Sequence, residues 1–381
     1  MASSLLQHLP LIRKYPPRFA TWNGVAFAWQ TTNQERAYGT LLEDAAPFAT
    51  SFQVRLKAAL RAHTIRLERI SSLLTDRIAR FAPVSRNEVT RLTRIANDDL
   101  FRAREIFRTY RTQVSVVASQ HSTQARAVAL AARSAGCATL YVPHAPVSSA
   151  RVYADLPFDY AALRGRREVD YYTALGADPD RLMVAGHLAL RVSEYDPTFP
   201  RNEIVVAPSP WGKREVEHFM RTVESAVDIP YIVCPHPRSD VSHLRKILPR
   251  RARVVHDRRT ADVIADCARV VVQRSSGVAQ EAMLMGIPVI EVTNGCGLGA
   301  LYPVISEPHA YFVEGSQDLK RSLDSLPLHE NPQRARNRAA WAREWCAHTV
   351  PESEHRLRDL LSTELSVREP LIDSWPTPNQ H

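Results

Sequence analysis

Lysine is nearly absent from the basic residues of this chain. Only Lys14, Lys57, Lys213, Lys246 and Lys320 are lysine among 49, and the rest are arginine. A guanidinium pairs with two oxygens at once, so such a surface suits phosphates; a nucleotide bias in the genome gives the same excess, and the count leaves both open. Cysteine is also sparse. Cys137, Cys234, Cys267, Cys296 and Cys346 are odd in number, scattered and without a CxxC pair. This argues against a disulfide frame or a zinc site and for reduced cysteines in a cytoplasmic protein. No apolar run approaches the ~18 residues that span a bilayer, and the first residues lack the basic start and apolar core of a secretory signal. Glycine numbers only 13, which draws attention to those that sit in motifs. What is present is an ordinary globular composition: 381 residues, 45% hydrophobic, 23% charged, net charge +9. That length suits two domains.

Apolar residues from Leu56 to Phe81 recur at helical spacing, and Pro83 ends that run. A second helix follows with Val89, Leu92, Ala96, Leu100, Ala103, Phe107 and Tyr110 on one face. Both helices, within 53–111, are rich in arginine elsewhere. That basic surface reads as a solvated face with local ion pairs; the alternative is peripheral contact with an anionic membrane. His63 lies on the apolar stripe and reads as structural.

From residue 112 short β runs alternate with helices: strands at 114–118, 138–142, 159–163 and 182–185, with an earlier short one at 24–29. Polar residues and prolines at 193–203 mark a boundary, after which the alternation resumes. Strands are expected at 204–207, 231–234, 254–255, 270–272 and 288–292, with helices at 214–226, 241–248, 260–268 and 278–285, the last stopped by Gly286. A helical tail is expected over 332–364 and disorder beyond. The pattern predicts an α/β protein of two doubly wound, Rossmann-like domains facing a central cleft, with a helical N-terminal region and a helical C-terminal tail. The boundaries are 1–195, 200–345 and 346–381.

Ligands of such folds sit beyond the carboxyl ends of the strands, so the residues there are the candidates. In the second domain Pro208-Ser209-Pro210-Trp211-Gly212-Lys213, Pro235-His236-Pro237-Arg238 and Gln273-Arg274-Ser275-Ser276-Gly277 each follow a strand. Ser275, Ser276 and the amides of Gly277 and Val278 stand at a helix start, where an anion is favoured; a serine pair there is also a common helix cap. Ser209, Lys213, His236 and Arg238 can add donors, and Gln280 and Glu281 lie in the following helix, where Glu281 can accept from ribose hydroxyls. In the first domain His144 follows a strand, with His121 and Asp155 as weaker candidates. Asp178-Pro179-Asp180 matches a metal-binding Asp-x-Asp but reads as a turn. No metal and no cofactor is expected. Nucleic acid is not an expected partner, because no basic–aromatic sheet face or helical reader is evident.

The stretches 234–238, 275–282 and 286–290 together resemble the C-terminal half of GT-B-fold glycosyltransferases. The resemblance is to those that build bacterial surface polymers: sialyl- and polysialyltransferases with HP and SS motifs, capsule polysaccharide transferases and teichoic acid glycerophosphotransferases. Residues 135–144 are similar to the stretch where these families place a histidine, usually as His-Gly; here Ala145 follows His144. Residues 175–186 resemble the end of their first domain, so the likeness covers roughly 112–295. It implies a nucleotide-sugar donor, with His236 assisting departure of the phosphate and Ser275 and Ser276 binding it. The implied acceptor is a saccharide or polyol phosphate, with His144 as the candidate for its activation. UDP-N-acetylglucosamine 2-epimerases share the His-Pro and the helix start, but their opening Gly-Thr-Arg-Pro-Glu segment has no counterpart here. An epimerase-like enzyme and a non-catalytic nucleotide-sugar binder remain the alternatives.

Overall fold

The computed structural model describes residues 18–22, 24–30, 32–43, 45–47, 86–149, 154–190, 203–210, 212–274, 276–293, 302–326 and 331–364. The expected helix that carries His63, the 193–202 boundary segment, Ser275 and the tail beyond 364 lie outside these residues.

Two sheets organise the molecule. The first contains β1 (Arg18–Trp22), β2 (Val25–Trp29), β3 (Ala46–Pro47), β4 (Val114–Val117), β5 (Ala138–Tyr141), β6 (Tyr160–Leu163) and β7 (Leu182–Val184), in the order β3-β1-β2-β4-β5-β6-β7. Strands β1, β2 and β3 meet antiparallel, and from β2 onward every pairing is parallel. The second contains β8 (Glu203–Ala207), β9 (Tyr231–Val233), β10 (Ala252–Val254), β11 (Cys267–Gln273), β12 (Val289–Val292) and β13 (Tyr311–Val313), all parallel, in the order β10-β9-β8-β11-β12-β13. Counted from β8, that is the doubly wound order 3-2-1-4-5-6, whose direction reverses between β8 and β11.

Parallel strands are covered on both faces, and every position of β2, β4 and β12 is buried here; all are apolar but Ser115 in β4 and Glu291 in β12. In the first sheet, Ala26, Ala28 and Val117 face Ala103, Ile106 and Phe107 of α2 (Arg86–Tyr110) and Val128 and Ala131 of α3 (Thr123–Ser134). The alternate residues Phe27, Val116 and Leu140 face Tyr38 and Leu41, which follow α1 (Thr32–Arg36). They also pack with Leu357, Leu360 and Leu361, which come from the far end of the chain. Around the second sheet lie α5 (Lys213–Ala226), α6 (Val241–Ile247), α7 (Thr260–Ile264), α8 (Val278–Leu284) and α9 (Ser316–Ser325). Gly286, at φ +70°, closes the turn after α8, a conformation that a side chain would resist.

Several sequence expectations need correction. Helix α2 buries only its central stripe; Leu92 and Tyr110 at its ends are exposed. Its basic face carries local pairs, Arg102–Asp98 and Arg108–Glu105, each at 3.0 Å. Helix α7 ends at Ile264 because β11 begins at Cys267, where Arg269 reaches the carbonyls of Leu323 and Leu326. The 332–364 stretch is two helices, not one: α10 (Pro332–Trp345) and α11 (Glu352–Asp359), the latter running into a π turn, Leu360–Glu364. Strands β1, β3 and β13 and helix α1 are too short to carry a periodic signal, whereas α9, with Leu319 and Leu323 buried one turn apart, carries one and adds to the expected helices.

The chain therefore crosses back. After α10, which packs on α8 and on α4 (Arg166–Ala174), α11 docks on the first sheet. There Glu354 accepts from Thr40 N at 2.8 Å and from Thr40 Oγ1 at 2.7 Å. Leu357 is 0% exposed in that interface. Leu357→Ala is expected to lower stability by about 2–5 kcal/mol, read by urea denaturation; an unchanged midpoint would remove α11 from the core of the first half.

Candidate active site

The reversal between β8 and β11 opens a crevice at the carboxyl edge of the second sheet, and the loops after β8, β9 and β11 line it. Their positions follow from the register: β8 pairs with both β9 and β11, so the three loops are neighbours. The loop after β11 reaches the first half, where Pro146 Cδ stands 3.6 Å from where a Cβ on Gly277 would be. Pro146 belongs to the loop after β5 that carries His144. The two histidine-bearing loops thus come from opposite halves of one cleft.

Their ring nitrogens are set by the backbone, and in opposite senses. At His236, Nδ1 accepts from the amide of Arg238 at 3.1 Å. An acceptor nitrogen carries no proton, so the neutral ring holds its proton on Nε2. At His144, Nδ1 meets the carbonyl oxygen of Ala118. A carbonyl can only accept, so Nδ1 carries the proton and Nε2 keeps its lone pair. His236 therefore presents a donor and His144 a base. Both stay neutral near pH 7. Burial pushes His144 down to about 4, and the charges of Arg164, His121 and Arg238 add to it. Burial, with Arg238, likewise pushes His236 down to about 4.

The other candidates divide. Ser276 is buried and Gly277 precedes α8, whose first turn is capped by no side chain. Arg238 is exposed at the rim beside His236. Glu281 is half-buried in the cleft; burial raises its carboxyl to about 6, although Arg164, Arg259 and Arg36 oppose the rise. Ser209 departs from its expected role. Its amide donates to Gln273 Oε1 at 3.0 Å, and its hydroxyl donates to the carbonyls of Gln273 and Arg274, at 3.3 and 3.1 Å. With its only hydroxyl proton engaged, it fastens two loops together instead of donating to a phosphate. Gln280 likewise faces the protein: its Oε1 accepts from Arg164 Nη1 at 2.6 Å. Lys213 pairs with Asp240 at 3.3 Å on the exposed rim. Asp155 is held by Arg126 at 3.1 Å, and His121 is exposed next to His144. Asp178 caps the Pro179–Arg181 turn by accepting from the Asp180 amide, as a turn reading requires.

Sequence reasoning passed over Arg164. It follows β6 directly, so the strand-end rule that selected the histidines selects it as well. His187, three residues beyond the end of β7, and the exposed Arg259, ahead of α7, lie near enough for their charges to act on one another.

Two Rossmann-like sheets facing one cleft define the GT-B fold. The chain is similar to a Listeria monocytogenes structure assigned as a UDP-N-acetylglucosamine 2-epimerase: TM-score 0.54, 15% identity, covering 73% of this chain and 81% of that one. It is also similar to a Neisseria meningitidis UDP-GlcNAc 2-epimerase bound to UDP-GlcNAc: TM-score 0.52, 11% identity, covering 71% and 81%. At such identities the likeness is one of fold. No family model matches the sequence, and no curated protein matches it. No helix among the described residues is long and apolar enough to cross a membrane.

Because Ser209 fastens loops, Ser209→Ala is expected to cost about 1 kcal/mol of stability and to leave nucleotide affinity within about twofold of wild type. Thermal unfolding and calorimetric titration separate the two; a large affinity loss at unchanged stability would return Ser209 to the ligand.

Proposed function

We propose that the protein is a glycosyltransferase that moves a sugar from a nucleotide-activated donor to a hydroxyl acceptor. We place it in the synthesis of a bacterial surface polysaccharide or glycoconjugate, as a metal-independent, inverting enzyme. One observation carries this reading: two histidines at facing strand ends hold opposite tautomers, one a donor and one a base, beside an uncapped helix start. A transferase needs both. The acceptor hydroxyl gives its proton to Nε2 of His144 as its oxygen bonds to the anomeric carbon. The bond from that carbon to the donor phosphate breaks, and its electron pair stays on the phosphate oxygen. His236 Nε2–H, Arg238 and the amides of Gly277 and Val278 stabilise that developing charge. Bound phosphate offsets the cations around His144, which raises its proton affinity toward the working range. Glu281 is assigned to the ribose hydroxyls.

His236→Ala is expected to lower kcat by roughly 100- to 1000-fold, and His144→Gln, which can still bond the Ala118 carbonyl, by roughly 100- to 10,000-fold. Sugar transfer to acceptor is the measurement, and wild-type rates in either variant would remove that histidine from the mechanism. With a donor alone, a transferase should leave the sugar configuration unchanged; conversion of UDP-GlcNAc without acceptor, followed by NMR, would favour the epimerase.

The acid limb of kcat/KM is expected in two stages. Activity falls below pH of about 6 as Glu281 takes a proton, then more steeply near about 4 as His144 loses its lone pair and His236 its amide bond. A profile flat to pH 4 would exclude the Glu281 carboxylate from binding.

A further inference from the structure

Arg164 is the largest fully buried side chain of the described residues and lies 2% exposed where the two halves meet. Its surroundings clasp it from three sides. Its amide donates to Glu168 Oε2 at 2.9 Å, within the first half. Its carbonyl accepts from Ala347 N at 2.9 Å, just past α10. Its guanidinium crosses to α8 and bonds Gln280. Next to it, Gly165 packs so closely on the backbone of Glu344, Trp345 and Cys346 that any side chain there would collide with it. Gln280 is itself 1% exposed, and it precedes Glu281 in the chain.

A buried guanidinium is costly to hold unless it has work or partners there. Here the buried carboxylate of Glu168, in its own half, offsets its charge, while its side-chain hydrogen bond goes to the opposite half, on the helix turn that also carries the carboxylate of the cleft. We propose that Arg164 is a positioning residue: from the first half it fixes the Gln280–Glu281 turn of α8, so that nucleotide binding by the second half depends on the engagement of the two. The idea rests on the transferase reading and its assignment of Glu281 to the ribose. Arg164 itself touches no nucleotide.

The charges that face Glu281 give the proposal a signature that packing alone would not. Arg164 after β6, Arg259 ahead of α7 and Arg36 at the end of α1 favour its ionised form, while burial and Asp262 of α7 oppose it. Cys346, after α10, is held in the thiol form by its own burial, and Glu281 contributes to that. Of the three cations, Arg164 is the one bonded to the neighbouring residue. Loss of its charge should therefore move the protonation of Glu281 to higher pH. Loss of the Gln280 bond alone should not.

The test is calorimetric titration of the full chain with UDP, CDP and CMP across the acid limb of binding. The proteins are wild type, Gln280→Leu, Arg164→Lys and Arg164→Met, with unfolding curves recorded for each. Gln280→Leu is expected to bind about tenfold more weakly with the limb unmoved. Arg164→Lys should weaken binding and keep the limb, because the charge remains and the fork is lost. Arg164→Met should weaken binding and shift the limb upward. If Arg164→Met fails to fold, the other two variants decide. Wild-type affinity and limb in Gln280→Leu and Arg164→Lys, even with lowered melting temperatures, would overturn the proposal and leave the transferase reading standing. Failure of the wild type to bind any of the three nucleotides would overturn both.

Discussion

The guanidinium of Arg164 stands between the two halves of the molecule, and much of the rest is arranged around it. Arg164 follows β6, its guanidinium bonds the helix that lines the opposite side of the cleft, and its backbone carbonyl accepts from Ala347 N just after α10. Around it the apolar core is continuous: Val169 and Tyr172 of the first half, Trp345 and Cys346 at the crossing, and Ala282 and Met283 of α8 belong to one cluster. Arg167 adds an outer seam, bonding Glu344 at 2.6 Å and lying 4.9 Å over the Trp341 ring. Two separately wound sheets thus share one interior, and a charge sits at the point where they join.

That charge also sets the electrostatics of the cleft. Its field reaches His144 and His187 on the first half, where it adds to burial in keeping both neutral, and Glu281 on the second, where it opposes the rise that burial causes. His144 stays neutral through burial and this field, and His236 through burial and Arg238. Their tautomers are fixed by the local backbone, an amide at one and a carbonyl at the other. The backbone conformation of the loops after β5 and β9 thus decides which ring nitrogen of each carries the proton.

How much of this the sequence carries depends on where the determinants lie. The period of apolar residues exposes the parallel strands and the helices between them, because both faces of each sheet are buried and most strand positions are apolar. Strand-end placement brings His144, His236, Arg238 and Glu281 to one cleft, since the topology puts all carboxyl edges on the same side. The roles of Ser209 and Gln280 are not legible in this way. Both occupy the right loops, but whether a polar side chain faces a ligand or its own protein is decided by contacts between segments 64 and 116 residues apart. Strand β1 is only five residues long, which leaves little local pattern to find.

The crossing of the chain has a consequence for how the protein is made. Leu357, Leu360 and Leu361 cover one face of a sheet whose other members were synthesised from residue 18 onward. Until those leucines emerge from the ribosome, Phe27, Val116 and Leu140 are covered on that side only in part, by Tyr38 and Leu41. The first half to be translated is therefore the last to be sealed, and during synthesis it exposes the kind of apolar surface that chaperones hold.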